Sequence, residues 1–426
     1  MLLALLFVLL FLLIAMGAPV AIALAGSSAV FILLDGRVPD VIVIHRMING
    51  VDSFPLLAVP FFILAGNLMN TAGITARIFD FAKALVGWMR GGLGHVNVGA
   101  SVIFAGMSGA AVADAGGLGA IEIKAMRDAN YDPGFAVGVT AASSTIGPII
   151  PPSLPMVIYG VVAGASIGQL FAAGFIPGLI MAVALMIMIA IYARRRGYPR
   201  DQAFSFSVLG TSLSRAALSL MTPVIIVGGI LSGVFTPTEA AIAACAWALV
   251  LGLFVYRTLS LRRFLRVSFD TIETTAVVLF IVGAASVFAW ILTSQRAPEH
   301  FAALILTISD NPIIVLLLIN LILLIVGCFM ETVAAITILV PVLLPIALKM
   351  NIDPVHFGVI VVLNLMIGLL TPPIGMVLYV LSRVAKLPFE RCVSATLPFL
   401  VPLFLVLVLV TFVPAVTMWL PTLLYR

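Results

Sequence analysis

The stretch Gly106-Met107-Ser108-Gly109-Ala110-Ala111-Val112-Ala113-Asp114, followed further along by Ile150-Pro151-Pro152, decides how the rest of the chain is interpreted. Small residues around Ser108-Gly109 predict a tight turn between two apolar helical arms. The adjacent prolines interrupt a helix, because each one removes a backbone donor and clashes with the preceding turn. The sequence therefore predicts a helical hairpin followed by a helix that is broken in its middle.

The same pattern recurs later in the chain at one constant shift. The matching landmarks are Gly106 with Gly327, Asp132-Pro133 with Asp353-Pro354 (353 − 132 = 221), Gly147 with Gly368, and Pro151-Pro152 with Pro372-Pro373 (372 − 151 = 221). Internal repeats with interrupted hydrophobic segments at matching places are typical of transporter binding sites. We therefore predict a first repeat over residues 1–200 and a second over 201–426.

The composition is that of a membrane protein. Of the 426 residues, 63% are hydrophobic and only 9% charged, and the mean hydropathy is +1.28. Because a soluble domain carries about 25% charged residues, we predict an all-α polytopic membrane protein embedded in a lipid bilayer. The net charge of +5 lies in a few loops, which indicates membrane topology and not nucleic-acid binding. Three isolated cysteines predict neither a disulfide framework nor a metal site.

Two hairpins and two broken helices follow from the repeated pattern. We predict hairpins at 95–127 and 312–349, and broken helices at 134–165 and 355–381. Each hairpin arm is too short to cross the membrane alone, so the hairpins are expected to be re-entrant. Their irregular backbone then has to be buried in protein or line a cavity. An amphipathic interfacial helix is predicted at 76–90. The remaining membrane segments are predicted at 1–34 (one kinked helix or two short ones, retained and not a signal peptide), 54–71, 169–193, 216–233, 235–256, 269–293 and 393–422.

Basic loops predict the topology. The two densest, 194–200 and 257–266, are separated by two segments and are placed in the cytoplasm by the positive-inside rule. Counting from them puts Lys124 in the cytoplasm and Lys349 outside. The hairpins are therefore predicted to enter from opposite faces, as an inverted repeat with both termini outside.

The broken segments carry the candidate chemistry. Prolines leave carbonyls without helical partners in the membrane, where a desolvated cation can satisfy them, and Thr371 adds a hydroxyl. The alternative is that the prolines only kink helices for packing. Asp114 and Glu331 lie nearest the hairpin tips, and a carboxylate at this depth is a functional candidate; helix capping is the alternative. Thr236 or Thr238 with Glu239 resembles an N-terminal helix cap, and we predict a structural role for Glu239.

Four motifs carry a resemblance to a known family. They are Gly106 to Asp114, Ile149-Ile150-Pro151-Pro152-Ser153, Gly233-Val234-Phe235-Thr236-Pro237-Thr238-Glu239-Ala240-Ala241 and Gly368-Leu369-Leu370-Thr371-Pro372-Pro373-Ile374-Gly375. Together they resemble the large membrane subunit of TRAP (tripartite ATP-independent periplasmic) transporters. The resemblance implies an elevator-type, sodium-coupled importer of organic acids in the bacterial inner membrane. It also implies two partners, a small four-helix membrane subunit and a soluble periplasmic substrate-binding protein. The small subunit is expected to be a separate chain, since this sequence starts directly at the large subunit.

The resemblance also implies site residues. Sodium, the only cofactor or coupling ion expected, would lie between each hairpin and its broken helix. One site would use Ala105, Ser108, Gly147, Ile150 and Pro151, and the other Gly327, Gly368, Thr371 and Ile374. The substrate would lie between the tips, near Ser108, Asp114 and Thr332. Two positions depart from the family pattern: Ala110 replaces a common serine, and Glu331 a common aspartate.

Other functions stay open at this point. A stand-alone inverted-repeat carrier would lack the partner subunits. A membrane enzyme would need a His, Asp or Cys cluster at membrane depth, and the sequence offers none, so no enzyme is expected. A channel would need a continuous polar pore, whereas the polar groups concentrate at two places. The substrate remains open among C4-dicarboxylates, sialic acids, other sugar acids and keto acids.

Overall fold

The computed structural model describes residues 2–37, 39–198, 200–201, 203–309 and 311–425, without the side chains of residues 106–108, 302, 304–306 and 308. Among these residues every regular element is a helix, and the only β contact is an isolated bridge between Arg90 and Arg200. The predicted all-α fold is therefore confirmed.

Eleven α-helices form the first half of the chain, with a short 3-10 turn before the fourth. They are α1 (Leu2–Ala15), α2 (Val20–Asp35), α3 (Ile42–Val51), the 3-10 turn Phe54–Leu57, α4 (Ala58–Thr71), α5 (Ile74–Val86), α6 (Gly92–Ser108), α7 (Ala111–Gly116), α8 (Leu118–Asp128), α9 (Pro133–Ser144), α10 (Leu154–Ala163) and α11 (Ile167–Arg196).

The second half contributes eleven more, two of which continue through a π-helical turn. They are α12 (Phe206–Pro223, continued by Val224–Gly228), α13 (Gly229–Leu231), α14 (Pro237–Val250, continued by Leu251–Val255), α15 (Leu261–Ser294), α16 (Ala297–Ile308), α17 (Pro312–Gly327), α18 (Thr332–Lys349), α19 (Pro354–Gly368), α20 (Met376–Ala385), α21 (Phe389–Phe412) and α22 (Ala415–Leu424).

Seven helices of the described chain are long and apolar enough to cross a membrane. They are Phe54–Thr71, Ile167–Arg196, Phe206–Leu231, Pro237–Val255, Leu261–Ser294, Thr332–Lys349 and Phe389–Phe412. The chain is accordingly a polytopic membrane protein. The amphipathic helix predicted at 76–90 is α5, which buries Ile78 and Phe79 and exposes Asp80.

The helix bounds follow the repeat register. Helices α9 and α19 begin at Pro133 and Pro354 (354 − 133 = 221), and the second hairpin arms begin at Ala111 and Thr332 (332 − 111 = 221). Aspartates cap α9 and α19 in the same way. The carboxylate of Asp132 accepts from the Phe135 backbone N–H at 2.9 Å, and that of Asp353 from Val355 at 2.7 Å. An Asp-Pro pair starts a helix in this way because proline needs no donor partner at the first helical position.

By their packing the helices can be divided into two groups, which also contact each other where α5 packs on α6 and where α15 and α16 pack on α18. The first, which we call the outer group, consists of α1–α5 and α12–α16, where α3 packs on α15 and α4 on α14. The second, the hairpin group, consists of α6–α11 and α17–α22, where α9 packs on α21 and α17 on α19. Within the hairpin group the two halves cross over. The second arm of hairpin one, through α7, packs on α20, and the second arm of hairpin two, α18, packs on α10.

Some boundaries differ from the predictions. The single segment predicted at 393–422 is wrong, because α21 and α22 are separated at Val413-Pro414, where Val413 takes the extended conformation favoured before proline (φ −121°, ψ 82°). Helix α16 was not predicted, since Glu299 and His300 interrupt its apolar pattern. The start of the chain forms two helices and not one kinked helix.

Candidate functional site

The tip of hairpin one lies directly on the first break. Gly109 has a left-handed backbone (φ 61°), and its carbonyl accepts a hydrogen bond from the Leu154 N–H at 3.3 Å. A Cβ at Gly109 would lie 2.6 Å from the Pro152 carbonyl oxygen. Only glycine satisfies both the positive φ and this close approach. The tip and the break therefore form one structural unit.

The first break, residues 145–153, is held from within by a serine. The hydroxyl of Ser153 donates to the Pro148 carbonyl and accepts from the Met156 N–H at 3.2 Å, which caps α10. Among the described groups, no backbone N–H donates to the carbonyls of Ile150 and Pro151. Carbonyls without donors in an apolar interior are the groups that a bound cation satisfies.

Asp114 is placed against this break. Its side chain is 2% exposed, and a Cβ built on Gly147 would collide with its carboxylate oxygen. The sequence prediction grouped Asp114 with the substrate and Gly147 with sodium, and the structure brings the two residues into contact.

The second hairpin meets the second break through two glycines. A Cβ on Gly368 would lie 2.6–2.9 Å from the backbone C, Cα and O atoms of Gly327. The end of α17 and the end of α19 therefore touch backbone to backbone. Thr371 follows, and its hydroxyl donates to the Ile367 carbonyl at 2.8 Å. Since that bond uses the hydroxyl hydrogen, the oxygen lone pairs stay available to a cation.

Glu331 at the second tip acts as a helix cap. Its carboxylate accepts from the backbone N–H groups of Val333 (2.8 Å) and Ala334 (3.2 Å) at the start of α18. Of the two interpretations left open by the sequence, the geometry favours capping here. Thr332, the first residue of α18, is buried.

The predicted capping role of Glu239 is confirmed. Thr236 and Glu239 form a reciprocal capping box, with each side chain bonded to the other residue's backbone N–H.

Buried amides, which the sequence reasoning missed, tie each hairpin to its broken helix. In the first half the Asn97 side chain donates to Thr140 at 2.7 Å and accepts from Ser143 at 2.6 Å. In the second half Asn364 donates to the side-chain oxygen of Asn320 at 2.6 Å. Ser143 and Asn364 are equivalent positions (364 − 143 = 221), but the equivalent of Asn97 is Leu318 and that of Asn320 is Gly99, so the repeat register alone does not identify these contacts.

A cavity of about 190 Å³ lies beside the first tip. Ala110, Ala113 and Leu154 line one side, and Asn67, Asn70 and Thr274 of the outer group line the other. The amide of Asn67 donates to Thr271 at 3.1 Å. Polar groups from the outer group thus face the hairpin tip, and the sequence patterns did not predict them.

The predicted sodium residues lie on the elements that make these two contacts. Ala105 is in α6, and Gly147, Ile150 and Pro151 are in the first break. Gly327 and Gly368 end α17 and α19, and Thr371 and Ile374 follow in the second break. The described backbone ends α6 at Ser108, whose side chain lies outside the described residues.

The sequence matches one family of transporter permeases. The family model of the tripartite ATP-independent periplasmic transporter, DctM component, matches residues 7–416. The sialic acid TRAP transporter large permease protein SiaM of Vibrio cholerae is 53% identical over 407 residues, covering 96% of this chain and 95% of that protein. The C4-dicarboxylate TRAP transporter large permease protein DctM of Pseudomonas aeruginosa is 40% identical, covering 94% and 93%.

The fold also resembles a solved structure. The crystal structure of the YdaH transporter of Alcanivorax borkumensis aligns with a TM-score of 0.60 at 15% identity, covering 87% of this chain and 86% of that chain. At this identity the likeness concerns the fold alone.

Proposed function

The chain belongs to the DctM-component family of tripartite ATP-independent periplasmic transporters, and we propose that it imports an organic acid together with sodium. It is a permease subunit of the bacterial inner membrane and not an enzyme. The observation that carries the proposal is the pair of Pro-Pro breaks, each in contact with a hairpin tip. Such contacts bring irregular backbone to both hairpin tips, where we expect a bound cation to satisfy its free carbonyls.

For the substrate we propose a carboxylate, with sialic acid tested first. The relative with 53% identity is described as a sialic acid permease, and another at 40% as a C4-dicarboxylate permease.

The proposed partners are a small membrane subunit and a periplasmic substrate-binding protein. The proposed movement is of elevator type, with the hairpin group sliding against the outer group. Its support is the division of the helices into two packed groups.

The coupling ion is tested by uptake into proteoliposomes that contain the permease, its small subunit and its binding protein. We expect an inward sodium gradient to drive accumulation of N-acetylneuraminic acid without ATP, because the donor-free carbonyls suit a monovalent cation. Equal uptake with choline in place of sodium would contradict the proposal. Uptake that persists without the binding protein and the small subunit would favour the stand-alone carrier instead.

The inverted arrangement is tested by cysteine labelling from each side of the membrane. We expect a thiol replacing Lys124 to react only from the cytoplasm and one replacing Lys349 only from the periplasm, because the basic loops place them so. Reaction of both from the same side would contradict the proposed inverted repeats over 1–200 and 201–426. Re-entrant hairpins are proposed on the same grounds.

A further inference from the structure

A second polar cavity lies away from the hairpin tips, where the outer group meets the hairpin group. Its volume is about 480 Å³, within the range of small-molecule sites. Helices α3 and α15 form one wall, and the end of α10 with the middle of α18 forms the other. The walls therefore come from the two groups that the proposed transport movement displaces against each other.

The outer wall is held rigidly by close helix packing. A Cβ on Gly50 would collide with the Ser286 side chain, and a Cβ on Gly283 would lie 3.1 Å from the Met47 carbonyl oxygen. Glycines at these two places let α3 and α15 approach backbone to backbone. Groups on this wall are thereby held in place.

Arg46 of α3 is the one charged side chain among the described residues that line the cavity. Its guanidinium carbon lies 5.1 Å from the centre of the Trp290 ring, and its buried Nε has no hydrogen-bond partner. No ion pair in the described part of the chain includes Arg46. A cation without a counter-ion in a membrane protein is costly and is expected to have a partner.

Three of the cavity hydroxyls already use their hydrogens within their own helices. Ser286 donates to Val282 at 2.9 Å, Thr293 to Ala289 at 2.9 Å and Thr337 to Val333 at 2.9 Å, each within its own helix. Their oxygens can still accept hydrogen bonds, which suits the hydroxyl groups of a ligand. The cavity thus offers one fixed guanidinium, several acceptors and the apolar ring of Trp290.

We propose that this cavity is a second organic-acid site, in which Arg46 binds the carboxylate of the acid. A guanidinium held on an aromatic face presents its planar N–H groups to a carboxylate with little loss of entropy. Thr337 and Pro341 lie on α18 between the tip and Lys349, so on the proposed topology the cavity is on the periplasmic side. The acid binds at this site before it reaches the hairpin tips. Only the identity of the acid and the side of the membrane rest on the proposed function.

The test labels a thiol introduced by Asn49→Cys, one turn from Arg46, in purified permease in nanodiscs. The labelling rate of the anionic reagent sulfonatoethyl methanethiosulfonate is divided by that of the cationic trimethylammonium reagent. This ratio should be about fivefold higher with Arg46 present than in Arg46→Gln. N-acetylneuraminic acid and succinate serve as probes, and at least one should protect the thiol. In Arg46→Gln the half-protecting concentration should rise about tenfold or more. Protein without Asn49→Cys supplies the background from the three native cysteines.

Two further variants test whether these effects depend on the guanidinium of Arg46. Arg77→Gln removes an arginine that also lies on a ring, 3.7 Å from the Tyr256 centre, but that donates to Gly73 and does not line the cavity. It should leave both reagent preference and protection unchanged. Arg46→Lys keeps the charge, so the reagent preference should persist and protection should weaken. This variant tests the proposal even where Arg46→Gln does not fold.

Two outcomes would overturn the proposal. Equal reactivity of the two reagents with no protection by either acid would overturn the proposal. Loss of the reagent preference on adding phosphatidylglycerol to phosphatidylcholine nanodiscs, again without protection by the acids, would assign Arg46 to a lipid phosphate and also overturn it. The labelling needs no sodium and no transport. Failure of sodium-driven uptake therefore leaves its result standing, and failure of protection leaves sodium coupling standing.

Discussion

The two Pro-Pro breaks occupy equivalent positions and differ in burial. Pro151, Pro152 and Ser153 are buried, whereas Pro372 and Pro373 are exposed. Ser153 is 0% exposed and its equivalent, Ile374, is 37% exposed (374 − 153 = 221). The repeat has therefore kept the backbone register of the two breaks but not their surroundings.

Glycines on the following helix explain the burial of the first break. A Cβ on Gly174 would collide with the Ile149 carbonyl oxygen, and one on Gly178 with the Ile150 side chain. The equivalent positions in α21 are Ala395 and Phe399 (395 − 174 = 221; 399 − 178 = 221). Gly174 and Gly178 thus let α11 lie directly against the first break, whereas Phe399 of α21 packs on Phe135 of α9.

The largest expected effect comes from adding a methyl group at the second break. In Gly368→Ala the new Cβ meets backbone atoms of Gly327, which cannot rotate away, so the free energy of unfolding should fall by about 3 kcal/mol. In Gly147→Ala the new Cβ meets the Asp114 side chain, which can move, and the loss should be less than half as large. Thermal unfolding of the purified variants measures both.

Gly210→Ala is the matched control, because a Cβ there meets nothing within 4 Å in α12. Its stability should stay the same or rise slightly. A Gly147→Ala variant that unfolds as readily as Gly368→Ala would show that the two contacts are equally rigid. That result would contradict the predicted difference between the two breaks.

An intermediate effect is expected for sodium at the open break. Thr371→Val keeps the branched shape but loses an oxygen, so the sodium concentration for half-maximal uptake should rise about 5- to 150-fold, equivalent to about 1–3 kcal/mol. Thr396→Val is the control, since Thr396 also donates to a carbonyl four residues earlier but lies in α21, outside both breaks. Unchanged sodium dependence in Thr371→Val, at normal protein levels, would limit Thr371 to a packing role.

The smallest expected effect concerns the covered break. Ser153→Ala removes the cap of α10 and the partner of the Pro148 carbonyl, and should lower the free energy of unfolding by about 1–2 kcal/mol. Its sodium dependence should change less than that of Thr371→Val, because Ser153 uses its hydroxyl within the break. A larger shift in sodium dependence than in stability would mean that Ser153 is itself a ligand.

Local signals predicted the elements that surround the site. Proline, glycine and Asp-Pro pairs act within one helical turn, so the hairpin predicted at 312–349 matches α17 and α18, from Pro312 to Lys349. The break at Gly117 between α7 and α8 was not predicted, and the equivalent part of the second hairpin, in α18, is continuous. The contact of Asp114 with Gly147 and the cavity at Arg46 depend on distant segments. Sequence spacing carries no information about such contacts.

The crossed packing of α7 on α20 and of α10 on α18 has a consequence for biosynthesis. The first residue of α20 follows that of α7 by 265 positions (376 − 111 = 265). At about 5–20 residues per second, the partner of hairpin one leaves the ribosome on the order of ten seconds to a minute later. The nascent first half therefore waits in the bilayer with small-residue surfaces uncovered. Translation speed and insertion chaperones thereby become determinants of yield for this chain.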